Sequence, residues 1–408
     1  MMTIRISHIV YLTAAMLLWS CSGNGPVDVP VVKNGEVALL PPAPLSQLQL
    51  LNGVYSVVSG SDRFGKLVVV QATGEGMLSV YTGKNAGLFV LDGGVRDSSV
   101  VLEGYWRNTQ GSETGNAKFV VRVDSMIAGT SSMVVRGMVG DNEEVPSENV
   151  EFRYERPLRD PSFAVVAHRG GGRNSDRLPA SENSLGIIRL AQRFGANGIE
   201  IDVRLTKDGV PVLFHDENFS PRLVNTEYCI GPVSDYTFAA IRTLCTLKDG
   251  ETVPSLREAL QTVVDRTTLT FVWLDLKSPD AVPQAAALAK EFEMKATALG
   301  RTLTIALGLP DDGMAERYRR EGLVSHAHAL CEVSVDAVRS VDASIWAPRW
   351  TLGPSRSTAD ALRAEGRRTI VWTLDQREFI TPFLAENAVD GILTNYPALV
   401  AFEYHALP

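Results

Sequence analysis

Residues 199–216 read IEIDVRLTKDGVPVLFHD. Two β-like runs, Ile199 to Val203 and Val210 to Phe214, are separated by little more than Thr206-Lys207-Asp208-Gly209. Parallel neighbours need a crossover of about a dozen residues, so these two runs must form an antiparallel hairpin. With Asp208-Gly209 as a two-residue turn, Lys207 is expected opposite Val210 and Asp202 opposite His215. Glu200 lies two residues back on the face of Asp202. The hairpin therefore gathers two carboxylates and an imidazole at one rim of whatever sheet contains it.

Outward from the hairpin, apolar strands alternate with helical segments at 184–194, 255–264, 281–299 and 358–365. Repeated βα units predict a parallel α/β fold. Strands are expected at 164–168, 199–203, 271–276, 302–307, 324–330, 345–348, 369–374 and 392–394. They fill residues 163–408, close to the roughly 250 residues of a (β/α)8 TIM-type barrel. His326 and His328 fall on one expected strand and share a face. Without a carboxylate motif nearby they read as packing or outer support rather than as metal ligands.

Residues 46–156 have a different texture. Short apolar runs such as Leu67 to Val70, Val100 to Leu102 and Phe119 to Val123 are broken by Gly, Asn and Asp. This predicts a small all-β domain, an antiparallel sandwich or barrel, in front of the TIM-type barrel. Its Tyr55, Tyr81, Tyr105 and Trp106 read either as ordinary sheet aromatics or as the lining of a glycan or lipid groove. Residues 21–45, rich in Gly and Pro, read as a flexible linker. Residues 1–20 read as a signal peptide, because the apolar run from Ile9 to Trp19 spans only about 16 Å as a helix, too short for a bilayer core. Leu18-Trp19-Ser20-Cys21 resembles a bacterial lipoprotein lipobox. The expectation is lipidation at Cys21 and a place in the bacterial cell envelope, anchored to a membrane. Cys229 and Cys245 are free to pair in such an oxidising compartment or to remain apart. A net charge of −8 without a dense basic run excludes a nucleic-acid partner.

In a (β/α)8 barrel the C-terminal strand ends carry the active site. Here they bear His168-Arg169, Glu200 and Asp202, Asp275 and Lys277, and Trp372, with His215-Asp216 returning on the hairpin. Three carboxylates, Glu200, Asp202 and Asp275, suit a hard divalent cation, Ca²⁺ or Mg²⁺, better than zinc. Arg169 and Lys277 add positive charge for a bound phosphate. His168 and His215 supply a proton acceptor and a proton donor near neutral pH. Carboxylates on a lumen face without a partner would be costly, and a cation relieves that cost. Trp372 either stacks on substrate or fills the barrel.

The ordered set His168-Arg169-Gly170, Ser181-Glu182-Asn183-Ser184, Glu200-Ile201-Asp202-Val203, Thr206 to Val212 with His215-Asp216, Val253-Pro254-Ser255-Leu256, Trp372-Thr373 and Asp390 to Pro397 resembles the glycerophosphodiester phosphodiesterase family over about residues 163–400. The resemblance implies metal-dependent hydrolysis of glycerophosphodiesters to glycerol 3-phosphate and an alcohol. It implies His168 and His215 as the acid–base pair, Glu200 and Asp202 as metal ligands, and Arg169 and Lys277 on the phosphate. Glu182 matches an early family glutamate close to the substrate. The substrate's glycerol hydroxyl can serve as first nucleophile, giving a cyclic phosphate that water opens. Two positions depart from the family pattern: Asp275 replaces a glutamate and Asn395 an aspartate, while Arg173 to Leu178 is longer than in compact members. Two alternatives stand beside this reading: phospholipase D- or C-like cleavage of a lipid headgroup diester, and a non-catalytic lipoprotein that binds phosphodiesters.

Overall fold

The structure is a computed structural model and describes residues 26–126, 133–225 and 228–407. The expected signal peptide and the lipidation at Cys21 lie outside the described residues. Among the described residues no helix is long and apolar enough to cross a membrane.

Eight antiparallel strands form the first domain: β1 (Gly53–Ser59), β2 (Leu67–Gly74), β3 (Met77–Thr82), β4 (Gly87–Arg96), β5 (Ser99–Asn108), β6 (Thr114–Arg122), β7 (Val134–Asp141) and β8 (Glu148–Arg156). Strand β1 pairs with β8 and closes them into a barrel. Alternate residues fill its interior, among them Tyr55, Val68, Val70, Phe89, Leu102, Phe119 and Phe152. The opposite faces of β1 to β5 are buried too, because Val54, Val69, Tyr81, Leu88, Val90 and Tyr105 pack into the core of the second domain. Burial on both faces explains runs such as Leu67 to Val70, which lack period-two alternation. All four aromatics singled out in the sequence are buried, 0–8% exposed, and so are core and interface residues; Trp106 alone also edges a polar surface cleft, where Arg63 covers its ring.

The expected flexible linker is corrected over its described part. Ala43 N–H donates to Gly93 O at 2.9 Å and Val95 N–H to Pro41 O at 2.9 Å. Glu36 and Val37 N–H groups donate to the Glu103 carboxylate at 2.8 and 3.0 Å, and Val27 N–H reaches Leu178 O at 3.0 Å. Proline and glycine remove helical periodicity, which reads as a tether. The partners that hold this segment lie far along the chain.

The second domain is the expected barrel. Its parallel strands are β9 (Ala164–Ala167), β10 (Gly198–Leu205), β14 (Phe271–Leu276), β15 (Thr304–Leu309), β16 (Ala329–Cys331), β17 (Ile345–Trp346), β18 (Arg368–Val371) and β19 (Gly391–Thr394), and β9 closes the ring by pairing with both β19 and β10. Short strand β11 (Pro211–Leu213) runs antiparallel to β10, and β12 (Asn218–Phe219) pairs with β13 (Gly231–Pro232) in a small excursion closed by the Cys229–Cys245 disulfide. Ala164, Val166, Trp273, Ala306, Leu330, Ile345, Ile370 and Leu393 fill the lumen.

Two strand-level expectations need correction. The β10–β11 register pairs Val203 with Leu213 and Leu205 with Pro211, which sets Asp202 opposite Phe214 rather than His215. The turn is a three-residue loop, Lys207-Asp208-Gly209, in which Gly209 takes φ +76°. A three-residue hairpin loop with glycine in the left-handed region shifts the register by one relative to a two-residue turn. Residues 324–328 are turn rather than strand, so His326 and His328 are exposed at the N-terminal end of β16, away from the mouth. His328 lies 3.9 Å from Glu293. Among the described residues no carboxylate cluster meets the pair.

The domains are joined through buried contacts and polar clamps. Arg193 pairs with Asp92 at 2.8 Å, and Arg156 Nη2 donates to the carbonyls of His405, Ala406 and Leu407 at 2.6–2.8 Å. Gly83 sits where a Cβ would stand 2.6 Å from the Phe402 ring, so the ring packs against the Gly83 backbone in space a side chain would take. Beneath this clamp His405 is buried, and burial first, then the charges of Arg159 and Arg156, push its pKa down to about 4. The unfolded chain takes up this proton near 6.5, whereas the folded chain refuses it until about 4. Stability is therefore complete above about 6.5 and declines as pH falls towards 4. The expected contribution is a loss of about 2 kcal/mol between pH 7.5 and 5. Denaturant midpoints across that range should fall for the native chain and fall less for His405→Phe; identical pH slopes would refute it.

Candidate active site

The lumen residues determine what reaches the mouth. Two residues beyond each lumen position the chain again points inward. From Val166 this gives His168, from Trp273 Asp275, from Leu330 Glu332, from Ala347 Arg349, from Ile370 Trp372 and from Leu393 Asn395. The β10–β14 register sets Glu200 beside Trp273 and Asp202 beside Asp275, so all three carboxylates share the inward face.

One oxygen from each of Glu200, Asp202 and Asp275 lies within 4.8 Å of the others. Aspartate in place of the family's glutamate at 275 therefore still reaches the cluster. Glu200 and Asp202 are 2% and 0% exposed. Glu200 Oε2 accepts from Arg169 N–H at 2.8 Å, while its buried Oε1 has no hydrogen-bond partner among the described residues. Burial, then the neighbouring Asp202 and Asp275, raises the Glu200 pKa well above the usual carboxylate range. Burial also acts against ionised Asp202, but Lys277, His215 and Arg169 outweigh it and hold that carboxyl at about 2. An orphaned buried oxygen in a set of carboxylates, free of thiolate, fits a hard divalent cation. Lys277 Nζ bridges the cluster, 2.7 Å from Asp202 Oδ1 and 2.5 Å from Asp275 Oδ2.

Each histidine has its own acceptor. His168 Nδ1 lies 2.7 Å from Asn395 Oδ1, and Asn395 Nδ2 donates to Asp375 Oδ2 at 2.6 Å. Asp375 can only accept, so the amide must present its oxygen to His168, and Nδ1 must carry the proton. Nε2, 3.8 Å from Glu200 Oε2, is then the free lone pair of the neutral ring. Burial, and next Arg169, lower the His168 pKa, so the ring stays neutral. His215 Nδ1 lies 2.7 Å from Asp216 Oδ1, and Arg222 Nη2 donates to the same oxygen at 2.8 Å. Although the register differs from the expected one, His215 stands two residues beyond the end of β11 and remains close enough to the cluster for its charge to act on Asp202.

The remaining expected residues divide. Arg169 is buried, with Nη1 2.6 Å from Glu182 Oε1. Glu182, 3% exposed, also accepts from Asn174 N–H at 2.9 Å and lies 3.4 Å from Arg222, so it anchors both arginines. Trp372 is half-buried against the lumen cluster, its Nε1 donates to Ala347 O at 2.8 Å, and Arg349 lies 5.2 Å over its ring. The sequence reading missed Asn183, which exchanges hydrogen bonds with Asp202 at 2.7 and 3.1 Å. It missed the support from Asp375 and Arg222, and it missed Glu332, whose pKa burial and then Asp275 push up to about 8. Asn183 lies inside the quoted Ser181–Ser184 run. Arg222 and Glu332 fall in no motif.

Residues 168–307 match the model of the glycerophosphoryl diester phosphodiesterase family. That stretch of the barrel is a domain of this family. With it, the barrel is a phosphoric diester hydrolase of the glycerophosphodiester type. A glycerophosphodiester phosphodiesterase of Caldanaerobacter subterraneus is 28% identical over 244 residues, 57% of this chain and 94% of the relative. Human glycerophosphodiester phosphodiesterase 1 is 34% identical over 117 residues, 27% of this chain and 33% of that protein, so the match spans about a third of the human relative. The crystal structure of a glycerophosphodiester phosphodiesterase from Parabacteroides distasonis is 20% identical with a TM-score of 0.47, covering 60% of this chain and 97% of that one. The first domain and the hairpin loops of β5–β6 lie outside the family match.

Proposed function

We propose that the barrel hydrolyses glycerophosphodiesters to sn-glycerol 3-phosphate and a free alcohol, using Glu200, Asp202 and Asp275 to hold a divalent cation and His168 and His215 as base and acid. The observation that carries this reading is the convergence at one mouth of a carboxylate triad and two histidines, each histidine held by a different acceptor. When bound, the cation supplies positive charge against the phosphate oxygens. Arg169 and Lys277 add to that charge, and Lys277 turns to the phosphate when its carboxylate partners are otherwise engaged. His168, neutral with a free Nε2, accepts the proton of the attacking glycerol hydroxyl. His215, its Nδ1 proton bonded to Asp216, delivers a proton from Nε2 to the departing alkoxide. One P–O bond forms and one breaks, the cyclic phosphate keeps the negative charge, and one proton passes from glycerol to enzyme while another passes to the alcohol. In the second half the roles reverse: His215 deprotonates water and His168 protonates the opening ester oxygen.

Turnover of soluble glycerophosphodiesters, followed by enzymatic detection of glycerol 3-phosphate, tests the reading. Release of glycerol 3-phosphate with the alcohol supports it. Activity confined to acylated lipids points to headgroup cleavage, and binding without turnover points to a capture module; either overturns it.

A further inference from the structure

Outside the catalytic mouth, a cleft of about 530 Å³ lies between the two domains. Thr109, Gln110 and Gly111 of the β5–β6 hairpin form one wall, and Arg173, Arg177 and Tyr396 of the barrel form much of the other. Gln110 Nε2 donates to Asp375 O at 2.9 Å. The carboxylate of that same Asp375 accepts from Asn395 N–H at 2.8 Å and from its Nδ2, and Asn395 holds His168. The cleft thus borders the residues that orient the catalytic base. Its hairpin wall is pinned, because Arg107 at the end of β5 donates to the carbonyls of Asp176 and Arg177.

The chemistry of the lining selects a ligand. Asp176 is engaged by Arg173 at 2.9 Å and by the Tyr396 hydroxyl at 3.2 Å, and Asp375 by Asn395 and Thr394. Among the described residues the Arg177 guanidinium makes no ion pair and no hydrogen bond, and the Ser175 side chain beside it is exposed. The formal charges of the lining balance, but the Asp176 and Asp375 oxygens are taken up by groups of the barrel, so Arg177 is the cation left to meet a ligand, among hydroxyl and amide groups and in a volume within the range of ligand sites. An acyl chain finds one ring there, and a quaternary ammonium meets Arg177. We propose that the β5–β6 hairpin completes the substrate site and that the cleft receives an anionic, hydroxyl-bearing extension of the diester, such as a second glycerophosphate unit. This inference rests on the barrel's phosphodiesterase reading and adds the substrate class.

Three diesters test it: glycerophosphocholine, glycerophosphoglycerol and bis(glycerophospho)glycerol, the last two differing by one glycerophosphate unit. The native chain should show a kcat/KM about ten-fold higher for the longer diester than for glycerophosphoglycerol. Gly111→Trp should fill the cleft. A Cβ at Gly111 meets nothing closer than Asn108 Cβ at 3.5 Å, so the hairpin accommodates it. Arg177→Glu should remove the cation. Each substitution is expected to lower the long-to-short ratio about ten-fold, whereas Val58→Trp on exposed β1 should leave the ratio unmoved. Equal rates for both glycerol diesters in the native chain, or a ratio that either cleft variant fails to shift, overturns the proposal while leaving the phosphodiesterase reading intact. No turnover of any of the three overturns both.

Discussion

Replacing His168 with alanine is expected to lower kcat for glycerophosphodiester hydrolysis by about 10²–10⁴-fold, with an unchanged melting temperature. The imidazole is only partly buried, so its loss leaves no large cavity, but no other group can take its place at Nε2. Asn395 points its amide oxygen at the ring, and Glu200 Oε2 lies 3.8 Å from Nε2; neither is placed to pass a proton to and from the glycerol hydroxyl. Asn395→Leu should weaken turnover less, because it removes the acceptor that sets the tautomer but keeps the imidazole. Steady-state kinetics with circular dichroism on the same preparations decide the matter. A His168→Ala enzyme within five-fold of native turnover, where general-base catalysis is worth about 10² or more, would remove the base from the mechanism.

Chelation should abolish activity, and Ca²⁺ or Mg²⁺ should restore it. The physical reason lies in the site itself: three carboxylates, two buried and one half-buried, with one orphaned oxygen at Glu200 and a single lysine bridging the other two. Lys277 balances only part of that charge, and in the proposed mechanism it is also the group that turns to the phosphate. Once the cation is removed the lysine is held back, so both sources of positive charge are lost together. Asp202→Asn should mimic chelation and should not be rescued by added metal at ordinary concentrations, since it removes the most deeply buried ligand. Calorimetric titration of the chelated protein gives a readout independent of turnover: one cation per chain for native, none for the variant. Full activity in excess chelator would leave the carboxylate triad without its assigned task.

The barrel was readable because its determinants are local. A linker of a few residues between β10 and β11 permits only a hairpin, and repeated βα units of this length permit few other closures. Strand periodicity puts Glu200 and Asp202 on one face by counting in twos, and Asp275 stands at the C-terminal end of its own strand, where the parallel register brings it beside Asp202. The register of the hairpin was not readable to one residue. A glycine at positive φ serves a two-residue Asp208-Gly209 turn and a three-residue loop alike; what separates them is Asp208, which the two-residue turn would also need at positive φ and which does not take it here. The strand assigned to 324–330 failed for a related reason: apolar Val324, Ala327 and Leu330 satisfy a turn followed by a short strand as well as one longer strand.

By itself the sequence determined which chemical groups this protein owns and roughly where along each strand they stand, because strand period and turn length act over a few residues. It could not determine the partners those groups keep. That His168 leans on Asn395 and Asp375, and that a hairpin from the first domain reaches the Asp375 carbonyl, depend on residues brought together from distant parts of the chain, while Arg222 on Asp216 and Glu182 on Arg169 meet across shorter loops whose path no strand period dictates. The contacts within the second barrel form when its strands close into a ring, and the Gln110–Asp375 contact forms when burial of the outer faces of β1 to β5 clamps one barrel against the other; no local pattern records which surface a buried face will meet.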